Sequence, residues 1–426
     1  MIRIGIVGCG RIMAAHLRGY RLLRAAGVDD FRITALCSLS EAEARMYVRR
    51  GAGPAQRPPV SRFDGDPLAV ADEYVSDFQD DVEVQVYTDF RRLMAEAPIT
   101  AVNDFTSHAL HHQVAAAALG AGKDLLTEKP MAVSVRAARR MCELAEARQR
   151  VLGVFQSGRY LPRTRQLRWL FESGRLGVLQ ILLMGSVGAR WAPDRVVADT
   201  PWRHRRVEGG GISLDVGVHR FDLIRALAGE IRDIQARTAI VEPVRWGHDE
   251  QGCLKQRVEC DAEDTVYASF ATVGGMTGEL TASWAGRGGG TMPGSGDVYY
   301  ASGGRVCGDE VRVDSNAGQD PCSAQDSCSA VDLAELYQRE CPAERRARDF
   351  PLGLSDAFAL AQHEWLEAVR QRRPPETSGR DALASLACAF TALEAAQAGR
   401  RVEVEEVACG ALEAYQRAIN DYYGIG

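Results

Sequence analysis

The chain has 426 residues, of which 46% are hydrophobic and 25% charged, with a formal net charge of -6. That apolar share can fill a core in each of two or three domains. The acidic balance speaks against nucleic acid or an anionic membrane as partner, and no apolar run reaches the roughly 18 residues of a membrane span.

In chain order, "IRIGIV" (2–7) is an apolar run ending in glycines, the pattern of a buried parallel strand. Helical periodicity follows at 14–26, a strand at 31–38 and a helix at 41–50, together a βαβ unit. Residues 51–85 are rich in Pro and Gly and predict a long insertion on the rim, with one short helix at 67–77. Strand, helix and strand then return at 99–107, 109–122 and 123–130. A helix at 135–149, a strand at 150–160 and a helix over 211–228 lead into a mostly β stretch from 230 to 315. Segments 286–296 and 315–330 are predicted loops, and three helices close the chain from 354. The opening residues are too short and too soon interrupted for a secretory leader. Eleven scattered cysteines with no C-x-x-C pair suggest reduced thiols rather than zinc or disulfides, so no metal and a cytoplasmic location are expected. The expected architecture is an α/β domain with a Rossmann sheet at 1–131. An α+β domain with a large, mostly antiparallel open sheet follows at 132–426.

The stretch "GIVGCGRIMAAH" (5–16) places Gly8 and Gly10 between a strand and a helix. In a dinucleotide turn the first glycine bends the chain and the second admits the pyrophosphate. The third glycine position holds Met13, with Ala14 and Ala15 keeping the helix face small. The phosphates are expected on the N–H groups at the helix start, which brings Arg11 and Ile12 to the cofactor. Ser38 stands where an acid usually binds the ribose 2′-hydroxyl, and Arg45, Arg49 and Arg50 follow. A serine does not repel a 2′-phosphate, so either NAD or NADP fits, with the balance toward NADP.

Two stretches carry chemistry. "LTEKP" (126–130) ends a strand of the nucleotide domain, and Pro130 keeps Lys129 out of helix, free to reach the crevice. In "GGGISLDVGVHRFDLI" (209–224), Asp215, His219 and Asp222 share one predicted helical stripe. A carboxylate one turn from an imidazole suits a general acid/base pair.

These stretches, with "PWRHRRVEGGG" and the late "WLEAVRQRRPPETSGRDALASLACAF", resemble the glucose–fructose oxidoreductase/inositol 2-dehydrogenase (Gfo/Idh/MocA) family. The departures are Met13, Ser38, the 51–85 insertion and "TSH" at 106–108, where the family commonly has Thr-Pro-Asn. The resemblance implies NAD(P)-dependent hydride transfer to or from a secondary hydroxyl of a sugar, glycoside or cyclitol, in a homodimer or homotetramer. It places Lys129 near the reacting hydroxyl, His219 as acid/base and Asp215 as its partner or a substrate ligand. It sets Glu128 on the cofactor side, and Trp202 and Arg203 beside the nicotinamide or substrate. Thr106, His108 and His111 follow a strand end; the two histidines either line the cofactor cleft or pack. Some relatives cleave glycosides through transient oxidation and others sense nucleotide without catalysis. The presence of Lys129, Asp215 and His219 together favours a dehydrogenase.

Overall fold

The structure, a computed structural model, describes residues 1–62, 65–188, 191, 193–249, 251–286, 297–314 and 328–426. The predicted loop at 286–296, except Gly286, and most of that at 315–330 lie outside the described residues.

The chain alternates β1 (Ile2–Val7), α1 (Met13–Ala25), β2 (Phe31–Cys37), α2 (Glu41–Met46), β3 (Gln85–Tyr87), α3 (Phe90–Glu96), β4 (Ala101–Asp104), α4 (His111–Gly120), β5 (Asp124–Glu128), α5 (Val135–Ala147) and β6 (Leu152–Phe155). All six strands are parallel, in the order β3-β2-β1-β4-β5-β6. Buried apolar runs such as "IRIGIV" and "FRITALC" account for the central strands. The sixth strand comes from beyond residue 131, so the sheet continues past the predicted boundary. Met13 is wholly buried in the cluster of Leu17, Tyr20 and Phe31, where its flexible side chain fills the α1–sheet contact.

The predicted helix over 67–77 is two separate 3₁₀ turns, Pro67–Ala69 and Val75–Asp77. The insertion is no rim appendage. Arg57 donates to the Cys9 carbonyl (3.1 Å) and Arg11 donates to the Pro58 carbonyl (2.9 Å), which straps it across the glycine turn.

After α6 (Pro162–Glu172) come β7 (Leu179–Val187), α7 (Val218–Ala228), β8 (Ile231–Ala239), the hairpin β9–β10 (Val244–His248, Leu254–Glu259), β11 (Thr265–Thr272), β12 (Thr277–Ser283), β13 (Val298–Ala301), β14 (Gly304–Cys307), β15 (Glu310–Asp314) and β16 (Cys328–Asp332). Then follow α8 (Leu333–Glu340), α9 (Ala343–Asp349), α10 (Ala357–Gln371), α11 (Gly379–Ala398), β17 (Val402–Glu403), α12 (Val404–Ala408) and α13 (Arg417–Tyr423). The second sheet has nine strands in the order β16-β15-β14-β13-β7-β12-β11-β8-β17. It is mixed: β7 and β12 run parallel, and the remaining pairs are antiparallel.

Helix α11, capped by Ser378 at its start and Gly399 at its end, packs between α5, α7 and β8. Its nearly continuous burial follows from that central position. Helix α10 returns to the first domain, where Gln362 donates to the His16 carbonyl (3.0 Å) and Phe358 meets the His16 ring edge-on. The hairpin β9–β10 holds the 194–200 segment by Trp246 N–H to Asp194 O (2.7 Å) and Val196 N–H to Trp246 O (3.1 Å).

Candidate active site

The glycine turn lies at the C-terminal ends of the parallel strands, where such sheets bind ligands. Gly8 has φ +99, and a Cβ there would stand 2.5 Å from the Phe105 carbonyl carbon, so glycine alone fits. A Cβ at Gly10 would meet nothing within 4 Å, which leaves open space on that side of the turn. Among the described residues, no backbone bond takes the N–H of Gly10, Arg11 or Ile12. Three free amides ahead of a 13-residue helix fit a dinucleotide pyrophosphate. The Arg11 side chain is held by the Pro58 carbonyl and by Asp199 (3.3 Å) of the 194–200 segment. Tyr47 donates its hydroxyl to the Gly10 carbonyl (3.1 Å).

At the end of β2 the Ser38 hydroxyl donates to Glu43 Oε2 at 2.7 Å. Ser40 caps α2, and that cap brings Glu43 back toward the strand end. Arg57 of the insertion stands 3.9 Å from the other Glu43 oxygen. The sequence reading missed both Glu43 and Arg57, because their nearness to Ser38 depends on the cap and the strap.

Under the cleft, fully buried Asp104 accepts from the Thr106 hydroxyl (2.6 Å) and the Thr127 hydroxyl (3.0 Å). Burial raises its pKa, against the lowering pull of His111 and these hydrogen bonds. His111 is also fully buried, with Nδ1 2.7 Å from Pro130 O and Nε2 3.1 Å from Thr106 O. It braces the strand ends beneath the cleft instead of lining it. Glu128 faces inward: Oε1 accepts from His16 Nε2 (2.8 Å) and Oε2 from the Lys129 N–H (3.1 Å). Burial lowers the His16 pKa despite Glu128, so the ring is neutral and donates through Nε2. Its Nδ1 then accepts from Gln362 (3.3 Å), and its face stacks on Phe105 with centroids 3.5 Å apart. His16 and Asp104, both missed in sequence, were discoverable only as polar residues in apolar runs.

Lys129 Nζ donates to Asp215 Oδ1 (2.9 Å) and to the Asp215 carbonyl (2.7 Å). Arg203 Nε donates to Asp215 Oδ2 (3.1 Å), and its guanidinium lies over the Trp202 ring at 4.3 Å. Burial would raise the Asp215 pKa, but Arg203 and Lys129 hold it well below the usual carboxylate range. His108 brings Nε2 to 3.8 Å from Asp215 Oδ1 and meets Trp202 edge-on at 4.4 Å.

The predicted Asp215–His219–Asp222 stripe is not formed. Residues 213–217 are a π-turn, which breaks the 3.6-residue register before α7 begins at Val218. Asp215 therefore turns to Lys129 and Arg203 instead of orienting His219. Asp222 is buried away from this cluster, where it accepts from Arg159 (2.7 and 2.8 Å) and Ser385 (2.8 Å). His219 stays close enough to Lys129 and Asp215 to feel both charges. Burial first, then Lys129, push its pKa down to about 3, with Asp215 opposing.

The glycines before the turn are shaped by neighbours. A Cβ at Gly211 would stand 2.4 Å from the Glu263 carboxylate, and one at Gly209 2.9 Å from His108 Cβ. Glu263 accepts from the Ser213 N–H (3.0 Å) at the start of the turn.

Among the described residues no helix is long and apolar enough to cross a membrane, and no cluster of His, Cys, Asp and Glu fits a metal.

Comparison with known proteins agrees with this geometry. Residues 2–156 match the oxidoreductase family with an NAD-binding Rossmann fold, and residues 164–305 match the Gfo/Idh/MocA C-terminal domain. The chain is 28% identical over 205 residues to D-xylose dehydrogenase of Paenarthrobacter nicotinovorans, covering 46% of this chain and 51% of that one. It is 21% identical to myo-inositol 2-dehydrogenase of Thermotoga maritima, covering 95% and 99%. Among solved structures, levoglucosan dehydrogenase in its apo form superposes with a TM-score of 0.71 at 18% identity, covering 94% and 98%.

Proposed function

The chain belongs to the Gfo/Idh/MocA oxidoreductases, an NAD-binding family, and on that premise we propose that its cleft moves a hydride between a nicotinamide dinucleotide and a secondary hydroxyl of a sugar or cyclitol. The observation that carries the reading is the clamp of Lys129 and Arg203 on Asp215, beside His219, at the mouth of the Rossmann cleft. The names of the relatives, D-xylose dehydrogenase and myo-inositol 2-dehydrogenase, support a polyhydroxylated substrate.

Gly8, Gly10 and the amides of Arg11 and Ile12 would hold the pyrophosphate. When bound, the nicotinamide supplies the hydride acceptor. The protein's own groups handle the proton and the charge. Lys129 has three N–H donors and gives two to Asp215, which leaves one for the substrate oxygen. Its charge stabilises that oxygen as the proton departs. Asp215, ionised by its two cationic partners, fixes Lys129 and takes no proton itself. His219 is neutral at ordinary pH and receives the hydroxyl proton.

The cofactor reading is NAD over NADP, the reverse of what Ser38 suggests alone. Glu43 places a carboxylate beside Ser38, where it accepts from a ribose hydroxyl and repels a 2′-phosphate. We also propose a cytoplasmic homo-oligomer built through the open face of the nine-stranded sheet. Strand register puts exposed Ile181, Tyr267 and Tyr300 together on that face.

The test is a spectrophotometric screen of sugars, glycosides and inositols with NAD and NADP, on wild type, Lys129→Ala and His219→Ala. Turnover that survives both substitutions overturns the mechanism, and absence of dinucleotide binding overturns the whole reading.

A further inference from the structure

His108 is more constrained than any role given to it so far requires. Its Nδ1 lies 2.8 Å from the Gly209 carbonyl, and a carbonyl oxygen only accepts, so the ring proton sits on Nδ1. Nε2 is then a lone pair. Among the described residues no hydrogen bond ends on it, and it stands 3.8 Å from Asp215 Oδ1, which is also an acceptor. The ring is held on its other sides by Trp202 and by the absence of a side chain at Gly209, whose Cβ would press on His108. Burial first, then Lys129 and Arg203 nearby, disfavour a second proton on the ring, with Asp215 opposing.

Asp215 Oδ1 already accepts from Lys129 (2.9 Å), so His108 Nε2 is the acceptor in this cluster that still asks for a donor. Lys129, bound to the same Asp215 oxygen, presents the reacting hydroxyl next door. Neighbouring ring hydroxyls of a polyol stand about one hydrogen-bond length apart.

We propose that His108 is a substrate-recognition residue whose Nε2 accepts from the hydroxyl on the carbon adjacent to the one oxidised, so that the cleft selects vicinal diols. The inference rests on the reading of this cleft as a polyol dehydrogenase site. It adds a requirement that reading does not contain: a substrate lacking the adjacent hydroxyl leaves His108 Nε2 without a donor and is rejected on the order of 100-fold.

The experiment compares D-xylose with 2-deoxy-D-xylose and D-glucose with 2-deoxy-D-glucose, on wild type, His108→Ala and His108→Phe. The phenylalanine variant keeps a ring against Trp202 and removes the Nε2 acceptor together with the Nδ1–H bond to the Gly209 carbonyl. Three quantities are measured: kcat/KM, the affinity of each sugar for the NADH-loaded protein by calorimetry, and the NADH Kd by fluorescence. Wild type is expected to prefer the hydroxylated member about 100-fold, both variants to fall below about threefold, and the NADH Kd to change less than twofold.

Discrimination retained in both variants overturns the proposal. So does a large loss of NADH affinity with discrimination unchanged, which would make His108 a ligand of the cofactor ribose. If wild type oxidises neither pair, the dehydrogenase reading fails separately. The calorimetric preference, present in wild type and lost in the variants, still decides the role of His108.

Discussion

Lys129 Nζ stands 2.9 Å from Asp215 Oδ1, and the same carboxylate gives its second oxygen to Arg203. The carboxylate is thus an anchor for two cations and not a partner of His219. Lys129→Ala is expected to lower kcat about 100- to 1,000-fold while the NADH Kd, read by fluorescence, stays within a few-fold. Equal losses in kcat and NADH affinity would place Lys129 in cofactor binding instead.

Asp215→Asn removes the charge that holds Lys129 and Arg203 and keeps the shape. The expected result is a fall in kcat close to that of Lys129→Ala, and a double mutant little worse than either single one. Additive losses in a kinetic double-mutant cycle would show that the two residues act separately.

The Ser38–Glu43 contact at 2.7 Å sets the cofactor reading. Glu43→Gln is expected to raise the ratio of NADP to NAD affinity about tenfold, and Arg57→Ala to lower it. Direct titration of both reduced cofactors checks this without turnover. An unchanged ratio in Glu43→Gln would remove the carboxylate from the ribose site.

His16 links α1, β5 and α10 through Glu128, Phe105 and Gln362. His16→Ala leaves Glu128 Oε1 and the Gln362 amide without this partner and opens a void. A loss of about 2–4 kcal/mol in urea unfolding is expected. Glu128→Gln, which retains an acceptor for His16, should cost less.

Acid destabilises the fold through its histidines. Burial lowers the pKa of His204 to about 3 and of His112 to about 4, with His219 near 3. The unfolded chain takes these protons below about 6.5 while the folded chain does not. Stability is therefore full above that pH and falls as pH drops toward 4, by up to about 1.4 kcal/mol per unit for each histidine. Glu263, raised to about 6 by burial, works the other way between 6 and 4.5. Asp104 and Asp381, also raised by burial, act with it, while His16, His108 and His363, lowered by burial, add to the histidine side. Thermal unfolding should show a lower midpoint at pH 5 than at pH 7. A flat profile would mean that these rings are not held neutral.

By itself the sequence determined the parts of this protein that repeat a local pattern. Largely apolar runs of six and seven residues made β1 and β2 legible, because buried parallel strands need both faces apolar, and β4 and β5 followed from the alternation of strand and helix. Glycines followed by a helix marked the nucleotide turn, and the order of "EKP" and "DVGVH" marked the family. Three-residue β3 and the polar β10, "LKQRVE", carry no such pattern and were missed as strands.

The tertiary structure alone decided what those parts touch. A π-turn five residues long moved Asp215 from His219 to Lys129 and Arg203, a change of register that side-chain spacing cannot reveal. Whether the 51–85 segment hangs free or crosses the glycine turn depends on two arginine–carbonyl bonds between residues 47 positions apart or more. Glu128 and His111 look alike in sequence to residues that face a ligand. Their burial, complete for His111 and partial for Glu128, exists only once α1, the strand ends and α10 have packed together. Local sequence sets backbone propensity and the apolar faces, whereas the partner of each polar side chain is settled by that packing.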